Sequence, residues 1–324
     1  MLLGYANFFV LFVVWILQLS FCNSGQLFYS YGWETQLLEF TFLCFFLVPF
    51  FSWNLKSTAS PAPRIVIWAL RWMLFRLMLG AGLIKIRGDE CWTDLTCLIY
   101  HYETQPNPHP LSYFFHQMPA LFHQAGVLFN HFVELIVPFA YFGPAKARRL
   151  AGLISAIFQL TLIASGNLAW LNWLTLLMCV PCLDDGFLRK TIPSKAKPSR
   201  WQTGLLTGFA VILVILSYSP AMNLLSDHQA MNTSYDQWHL INSYGAFGSI
   251  SKERFNIVIS ATRDEKISEQ TNWQEYTFHC SPGDISRWPC IITPYHYHLD
   301  WQMWFSAMRP QLQEEWLFRL AVRL

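Results

Sequence analysis

The stretch RWMLFRLMLGAGLIKIRGDECWTDLTCLIYHYETQP, residues 71–106, decides how the rest of the chain is organised. Its first half is apolar, long enough for a helix, and carries Arg71 and Arg76. A charge at the centre of a bilayer costs at least ~2.5 kcal/mol unless it is paired or hydrated, so a plain anchor has no use for these arginines. Its second half carries two cysteines and several aromatic residues. The stretch therefore predicts a membrane helix inside a bundle that leads into a structured loop.

The composition of the whole chain agrees with a membrane location. Of its 324 residues, 53% are hydrophobic, 17% are aromatic and only 13% are charged, whereas an average soluble domain has about 25% charged residues. The formal net charge of +2 gives no reason to expect a nucleic-acid partner.

Apolar runs near the ~20 residues that span a bilayer lie at 3–19, 37–53, 65–86, 127–142 and 205–219. The tract 150–183 is too long for one helix and is interrupted at 165–167 and at Asn172, which predicts a helical hairpin or re-entrant pair. We expect a polytopic α-helical membrane protein with five spanning helices plus a helical hairpin. Residues 1–220 would form the multi-pass domain with a loop at 88–125, and residues 221–324 a lumenal C-terminal domain.

The distribution of Lys and Arg predicts the orientation, because basic short loops stay in the cytoplasm. The loops 54–64, 143–149 and 184–200 are basic, whereas 21–32 and 88–125 contain neither Lys nor Arg. This places the N-terminus in the cytoplasm, and the loop 88–125 and the C-terminus in the lumen. Residues 1–19 lack a basic start and a clear cleavage site, so we interpret them as a membrane helix rather than a removed signal peptide.

The C-terminal region has features of a secretory lumen. Asn232 begins an Asn-Thr-Ser glycosylation sequon. Alternating polarity at 253–259 and 275–280 predicts half-buried strands, hence a β-rich domain, and 301–308 and 312–324 have helical patterns. The pattern stops at Leu324 without a helix-ending residue, so we expect an incomplete domain.

Two cysteine pairs are close in sequence. Cys91 with Cys97, and Cys280 with Cys290, are candidates for disulfides that close small loops. Cys22 is predicted on the same side, and cross-pairing stays open because sequence does not determine connectivity.

The intramembrane polar residues are Arg71, Arg76, Lys85 and Glu134. Arg76 and Glu134 are predicted at similar depth, which leads to the hypothesis of an Arg76–Glu134 ion pair with Glu34, Glu39 and His131 as further partners. The preferred interpretation is that such pairs fix helix packing. The sequence Gly-Ala-Gly at 80–82 is likewise interpreted as a close helix contact.

No catalytic or metal motif stands out. His296, His298 and Asp300 alternate in PYHYHLDW and would share one face of a strand at spacing suited to zinc or iron, but a polar strand face is the preferred interpretation. His109, His116 and His123 recur every seven residues, too far apart to share one metal. Residues 111–124 are interpreted as an interfacial segment. We therefore predict no metal and no cofactor.

Four segments resemble the lipase maturation factor family: residues 71–106 above, SGNLAWLNWLT at 165–175, SYGAFGSISKER at 243–254, and PGDISRWPCIITPYHYHLDWQMWF at 282–305. The resemblance runs from about residue 25 to 324, and RGDECWTDLTC is more like the first paralogue than the second. It implies a non-enzymatic endoplasmic reticulum membrane factor that assists folding, dimer assembly and secretion of homodimeric lipases such as lipoprotein lipase. It also implies further sequence at both ends.

The functional motif implied by this resemblance lies in the predicted lumenal loop. Its positions are Arg87, Gly88, Asp89, Cys91, Trp92, Leu95, Thr96, Cys97, Tyr100, His101, Tyr102, Glu103, Thr104, Gln105 and Pro106. A client would then contact exposed aromatic residues of the loop, which include Trp92, Tyr100, Tyr102, Tyr113 and Phe114.

The membrane half also looks like the membrane domain of the vitamin K-dependent carboxylase, in a Gly-rich helix that ends in Lys and is followed by Trp. The matching residues are Gly80, Gly82, Lys85 and Trp92. This supports an alternative in which the chain is a membrane enzyme and desolvated Lys85 is a base; a snorkelling lysine is the preferred interpretation. A transporter or scaffold is the third hypothesis.

Overall fold

The computed structural model describes residues 7–48, 62–184, 187, 200–284, 286–308 and 315–324. The predictions for the N-terminus, for most of the basic loops 54–64 and 184–200, for the end of the run 37–53 and for the start of the helix 312–324 lie outside the described residues.

The described chain is mostly helical. Its α-helices are α1 Phe8–Gly25, α2 Gly32–Cys44, α3 Arg64–Gly88, α4 Glu90–Thr93, α5 Cys97–Thr104, α6 Pro110–His116, α7 Ala120–His131, α8 Ala145–Ser165, α9 Leu171–Cys179, α10 Arg200–Leu225, α11 His298–Ala307 and α12 Glu315–Arg323. The strands are β1 Thr233–Ser234, β2 Asn242–Ser243, β3 Ser260–Ala261 and β4 Gln274–Glu275, paired antiparallel as β1–β2 and β3–β4.

Five helical segments of the described chain are long and apolar enough to cross a membrane, which confirms the polytopic helical fold. They are Phe8–Tyr29, Arg64–Gly88, Ala120–Phe142, Ala145–Ser165 and Arg200–Leu225. The predicted run 37–53 is not among them, because its described part belongs to the 13-residue helix α2 and the turn that follows it. The hairpin is present as α8 and α9, but its first arm has 21 residues and is long enough to span, contrary to the prediction of two short helices. The reason is that α8 starts directly after Pro144, so the basic segment 145–149 adds more than one turn to the helix before the apolar tract begins.

Helix α3 is the centre of the bundle and packs against α2, α9, α10 and the segment that follows α7. Its Met73, Leu74 and Met78 are buried in the main apolar cluster, together with Val133 and Met178. Small residues let neighbouring helices approach closely. A Cβ at Gly82 would lie 2.7 Å from Leu135, so the predicted packing role of this glycine is confirmed.

The helix after α7 is irregular at the point where it presents a carboxylate to the core. Residues Phe132–Ile136 form a π-helical turn and Val137–Phe142 a 3-10 helix. Pro138 has no N–H to donate to the preceding turn, which removes one regular helical hydrogen bond there. Such π-turns often mark functional positions, and this one carries buried Glu134.

The two ends of the bundle differ in chemistry. At one end Asp184 accepts from Arg149 at 2.6 Å and from Arg148 at 3.1 Å. At the opposite end of α3 the loop after Gly88 meets the C-terminal region, for example where Trp92 contacts Phe247. The basic short loop and the cysteine loop are thus separated by the length of the helices.

The C-terminal region contains less regular strand than the alternation predicted. Residues 253–259 contain no assigned strand, although the Ile259 carbonyl accepts from the Tyr276 amide at 2.8 Å, and the β3–β4 pairing covers only Ser260 and Ala261 on this side. The segment 295–300 is not a strand, because α11 begins at His298. Alternation alone does not make a strand where no neighbouring segment supplies the ladder hydrogen bonds.

Candidate functional site

The end of α3 is shaped for contact with the C-terminal backbone. A Cβ at Gly80 would collide with the carbonyl oxygen of Tyr244, and one at Gly88 with that of Gly248. The absence of side chains at these two positions therefore lets the C-terminal segment lie directly on the helix. Arg87 at the same end donates to the carbonyl of Leu224 at 3.1 Å.

The loop after α3 is closed by the Cys91–Cys97 disulfide, which encloses Trp92. Asp89 caps α4 by accepting from the Cys91 amide at 2.9 Å. Trp92 is only 2% exposed, and its indole N–H donates to the carbonyl of Phe247 at 2.9 Å. The loop is therefore tied to the C-terminal region through its tryptophan. In the same loop Leu95 has a left-handed φ of 60°, between the two cysteines and next to Thr96.

The YHYETQP motif at 100–106 is a platform on which the C-terminal region rests. Trp304 donates to the carbonyl of Thr104 at 2.9 Å. Arg254 donates to the carbonyls of Gln105 and Pro106, the second at 3.1 Å. All three acceptors are backbone carbonyls of the motif. These hydrogen bonds therefore fix the backbone of the motif and do not involve its side chains.

The side chains of the motif fill the interior below that platform. His101 is buried, and burial together with the charge of Lys85 lowers the pKa of His101 to about 4, so the imidazole is neutral at pH 7. Tyr102 stacks on Phe115 with ring centroids 5.5 Å apart. Glu103 is half exposed and lies 3.6 Å from His116.

The exposed aromatic surface differs from the predicted one. Trp92 and Tyr102 are 2% and 7% exposed and cannot form an outer contact surface. Tyr113, Phe114 and Leu121 are 58%, 51% and 74% exposed, on α6 and α7. Aromatic residues in a loop are not exposed by default: the C-terminal region covers Trp92, and Phe115 and His123 cover Tyr102.

Arg76 is 1% exposed and pairs with Glu39 of α2. Its guanidinium also donates to the carbonyl of Asn242. Glu39 in turn accepts from the Asn242 amide at 2.9 Å and from the Tyr244 hydroxyl at 2.8 Å. A buried carboxylate with this many donors is fully compensated, and the network joins α2, α3 and the C-terminal region.

The predicted Arg76–Glu134 pair is wrong: Glu134 pairs with Lys85, whose amine contacts its two oxygens at 2.6 Å each. Arg76 and Lys85 are nine residues apart on α3. Nine residues make two and a half turns, about 13.5 Å along the axis, so the two cations lie on opposite faces. Arg76 faces α2 and Lys85 faces the π-turn after α7. Glu39 was foreseen only as a further partner.

Two more groups complete the polar interior. Asn130 accepts from Lys85 at 3.2 Å and donates to Glu134 at 2.8 Å. The Lys85 amine also lies 5.0 Å from the centroid of the Trp92 ring. Arg71 has no carboxylate partner among the described residues and instead donates to the carbonyl of Pro181 at 2.9 and 2.7 Å.

A cavity of about 350 Å³ opens between α3, α7, α8 and the motif. Most of its wall is apolar, and the Lys85–Glu134 pair with Asn130 supplies the charged part. Its shape and lining suit an apolar group with a polar tip. The apolar wall includes Leu77, Met78, Phe129, Phe158 and Leu162.

The remaining sequence candidates are placed as follows. Cys280 and Cys290 form a disulfide, and Cys22 is a free thiol. Asn232 is exposed in a left-handed conformation, with φ 49°, beside the start of α2. Asp300 accepts from the amides of Cys280 and Ser281 at 2.7 and 2.9 Å, so it holds the second disulfide loop and does not join the histidines.

Sequence reasoning missed the residues that clamp the C-terminal region to the bundle, namely Asn242, Tyr244, Phe247, Arg254 and Trp304. Four of them lie within SYGAFGSISKER or directly before it, and the fifth lies in the 282–305 segment. The unusual composition of those segments was the available signal, but it did not indicate their contacts.

Comparisons with known proteins cover almost the whole chain. A family model described as the lipase maturation factor transmembrane domain matches residues 1–190, and one described as the lipase maturation factor C-terminal domain matches residues 240–324. Lipase maturation factor 1 of Mus musculus and of Homo sapiens are each 43% identical over 99% of this chain. Lipase maturation factor 2 of Xenopus tropicalis is 25% identical over 97% of it. No solved structure matches the chain.

The fold and site define a multi-pass helical membrane protein in which a disulfide-closed loop and a C-terminal region form one docked unit. The chain belongs to the lipase maturation factor family, and it is more similar to factor 1 than to factor 2. It spans 60% of the length of the mouse relative and 61% of the human one.

Proposed function

We propose that this chain assists the folding, dimer assembly and secretion of homodimeric lipases such as lipoprotein lipase, from the endoplasmic reticulum membrane. The observation that carries the proposal is the 43% identity to lipase maturation factor 1, which extends over 99% of the chain and so includes the whole motif 87–106. The factor would act by binding and without a cofactor.

The proposed orientation has a cytoplasmic N-terminus, with the loop 88–125 and the C-terminal domain 221–324 in the lumen. Its support is chemical. Arg148 and Arg149 lie at one end of the bundle, where cytoplasmic basic residues belong. The sequon and both disulfides lie on the docked unit at the other end, and disulfides persist in an oxidising lumen.

The client would bind the exposed apolar surface of α6 and α7, which we call the α6–α7 patch and define as Leu111, Tyr113, Phe114, Met118, Leu121 and Phe122. These residues are between 41% and 74% exposed. Exposed apolar patches commonly mark interaction sites. The motif would serve as the rigid support below the patch, because most side chains of YHYETQP at 100–106 are buried.

Replacing Tyr113 and Phe114 together with serine is expected to reduce co-precipitation of lipase about tenfold while the amount of the factor is unchanged. Both side chains are exposed, so their loss costs little folding free energy. The measurement is lipase bound per factor, with lipase activity in the medium, in cells that lack their own factor. Ile267→Ser, at a 75% exposed apolar residue elsewhere, is the matched control. If lipase binding is unchanged but the factor is extracted from the membrane more easily, the patch lies in the lipid leaflet. That result would favour the interpretation of residues 111–124 as an interfacial segment and would contradict the client surface.

The orientation is tested at Asn232. In intact cells the chain is expected to carry a glycan that endoglycosidase H removes, and Asn232→Gln is expected to abolish the mobility shift. Asn232 is an exposed residue. Ser234→Ala, which destroys the sequon and keeps Asn232, should give the same result. A chain that is never glycosylated, and whose C-terminal domain is digested from outside sealed microsomes, would refute a lumenal docked unit.

The enzyme alternative is weaker on chemical grounds, although the cavity beside Lys85 could hold a small apolar substrate. A base needs a free lone pair, and Lys85 donates to both oxygens of Glu134. We expect Lys85→Arg, which keeps the ion pair and cannot act as a base, to retain at least half of the lipase secretion. Lys85→Met is the disruptive comparison. If Lys85→Arg abolishes lipase secretion while the factor accumulates to its normal level, the enzyme hypothesis would be favoured.

A further inference from the structure

Three metal-ligating side chains meet where the first turn of α2 touches the C-terminal region. Glu34, His296 and His298 each present one donor atom, and these atoms all lie within 4.8 Å of one another. Glu34 and His296 are fully buried. The two imidazole centroids are 4.2 Å apart.

The donor atoms of this cluster are unsatisfied. Within the described part of the chain, no hydrogen-bond partner meets Oε1 of Glu34, either ring nitrogen of His296, or Nε2 of His298. Buried polar atoms nearly always have a partner, and an exception calls for an explanation such as an absent ion. Four unsatisfied polar atoms therefore lie on three adjacent side chains, each of a type that binds metal ions.

The surroundings hold these side chains in place and leave their metal-ligating atoms free. Gln18 donates to the other oxygen of Glu34 at 2.5 Å, which orients the carboxylate. His296 is enclosed by the rings of Tyr31, Trp33 and Trp170, with centroids 5.0 to 5.5 Å away. The bond from Gln18 is the kind of outer-shell contact that orients a metal-binding carboxylate, whereas ring packing alone holds His296.

We propose that Glu34, His296 and His298 bind a divalent transition-metal ion, with zinc the best fit. Two imidazoles and one carboxylate are a known zinc donor set that leaves a fourth position for water. Two nitrogen donors argue against Ca²⁺ and Mg²⁺, which take oxygen ligands. Tetrahedral zinc holds its ligand atoms about 3.3 Å apart, so side-chain rotations that move each donor about an ångström would complete the site.

The site would join two parts of the chain that are far apart in sequence. Glu34 belongs to α2 of the membrane bundle, whereas His296 lies just before α11 and His298 is the first residue of α11. Other contacts join the same two parts of the chain: Gln302 of α11 donates to the carbonyl of Leu27 and to the hydroxyl of Tyr31, both at 2.8 Å. A bound ion would therefore lock the C-terminal region onto α2, whichever client the protein serves.

The test is metal content of the purified chain in detergent. After chelation and dialysis against limiting zinc, the wild type is expected to hold about one zinc per chain and to show the strong visible absorption of four-coordinate cobalt when Co²⁺ replaces it. Zinc, and not magnesium, should raise its melting temperature by about 4 °C or more. Glu34→Gln, which keeps the contact with Gln18, should weaken zinc binding at least tenfold.

Controls separate a site from general affinity or misfolding. Glu103→Gln removes a half-exposed carboxylate that also lies beside a histidine, and it should bind zinc as the wild type does. His298→Gln provides a second ligand variant in case Glu34→Gln fails to fold. A wild type without stoichiometric zinc, or variants that bind it equally well, would overturn the proposal.

Discussion

Replacing Arg76 with methionine is expected to lower the free energy of unfolding by about 3–5 kcal/mol, because Glu39 is then left as a buried charge without its cation. Both side chains are 1% exposed, so water cannot take the place of the guanidinium. Arg76 also closes the contact with Asn242. The loss should therefore appear both as a less stable bundle and as a detached C-terminal region.

The double variant Arg76→Met with Glu39→Gln is expected to recover more than 1 kcal/mol relative to the sum of the single losses, since it removes both charges together. Glutamine keeps an oxygen that can accept from Asn242 and Tyr244. The measurement is equilibrium unfolding in mixed micelles, combined with protease sensitivity of the C-terminal region. The observed pairing would be contradicted if the stability losses of the Arg76 and Glu39 variants were additive. It would also be contradicted if the Arg76 loss were coupled to that of a Glu134 variant instead.

Arg71→Met is the matched comparison for that cycle. Arg71 is also a buried arginine of α3, but it donates to a neutral backbone carbonyl. Its loss leaves no unpaired ion, so we expect about 1.5–3 kcal/mol. A larger loss at Arg71 than at Arg76 would mean that burial of the guanidinium, rather than the ion pair, sets the stability.

The features that the sequence predicted correctly depend on nearby residues. The membrane helix α3, the small loop closed by Cys91 and Cys97, and the close packing at Gly82 each follow from a local pattern. The polytopic fold follows from hydropathy, which needs only the length of each run. None of these requires knowledge of which helices are neighbours.

The features that the sequence missed depend on which segments meet. A buried arginine predicts that a carboxylate is close, but hydropathy gives no rotation of α3, so it could not choose Glu39 over Glu134. Burial of Trp92 comes from Phe247, 155 positions later. Glu34 and His296 are likewise distant in sequence, and the strand interpretation directed attention to Asp300 instead.

Trp92→Ala is expected to have the largest effect in the loop, a loss of about 3–5 kcal/mol in stability. It removes a large buried ring, the hydrogen bond to Phe247 and the contact of the ring with Lys85. Lipase secretion should fall in proportion to the amount of folded factor. The measurements are the level of the factor, its melting temperature and lipase activity in the medium.

Trp92→Phe is the milder comparison, since it keeps an aromatic ring but loses the indole N–H and the smaller ring of the indole. We expect a loss of about 1–3 kcal/mol, the usual cost when one buried partner is left unsatisfied, and most of the lipase secretion should survive. Because Trp92 is 2% exposed, it reaches a client only through the shape of the loop above it. A Trp92→Ala factor that accumulates and melts like the wild type, yet binds no lipase, would instead require direct contact with the client. The C-terminal region would then have to move away from the loop during lipase binding, and the α6–α7 patch would no longer suffice as the binding surface.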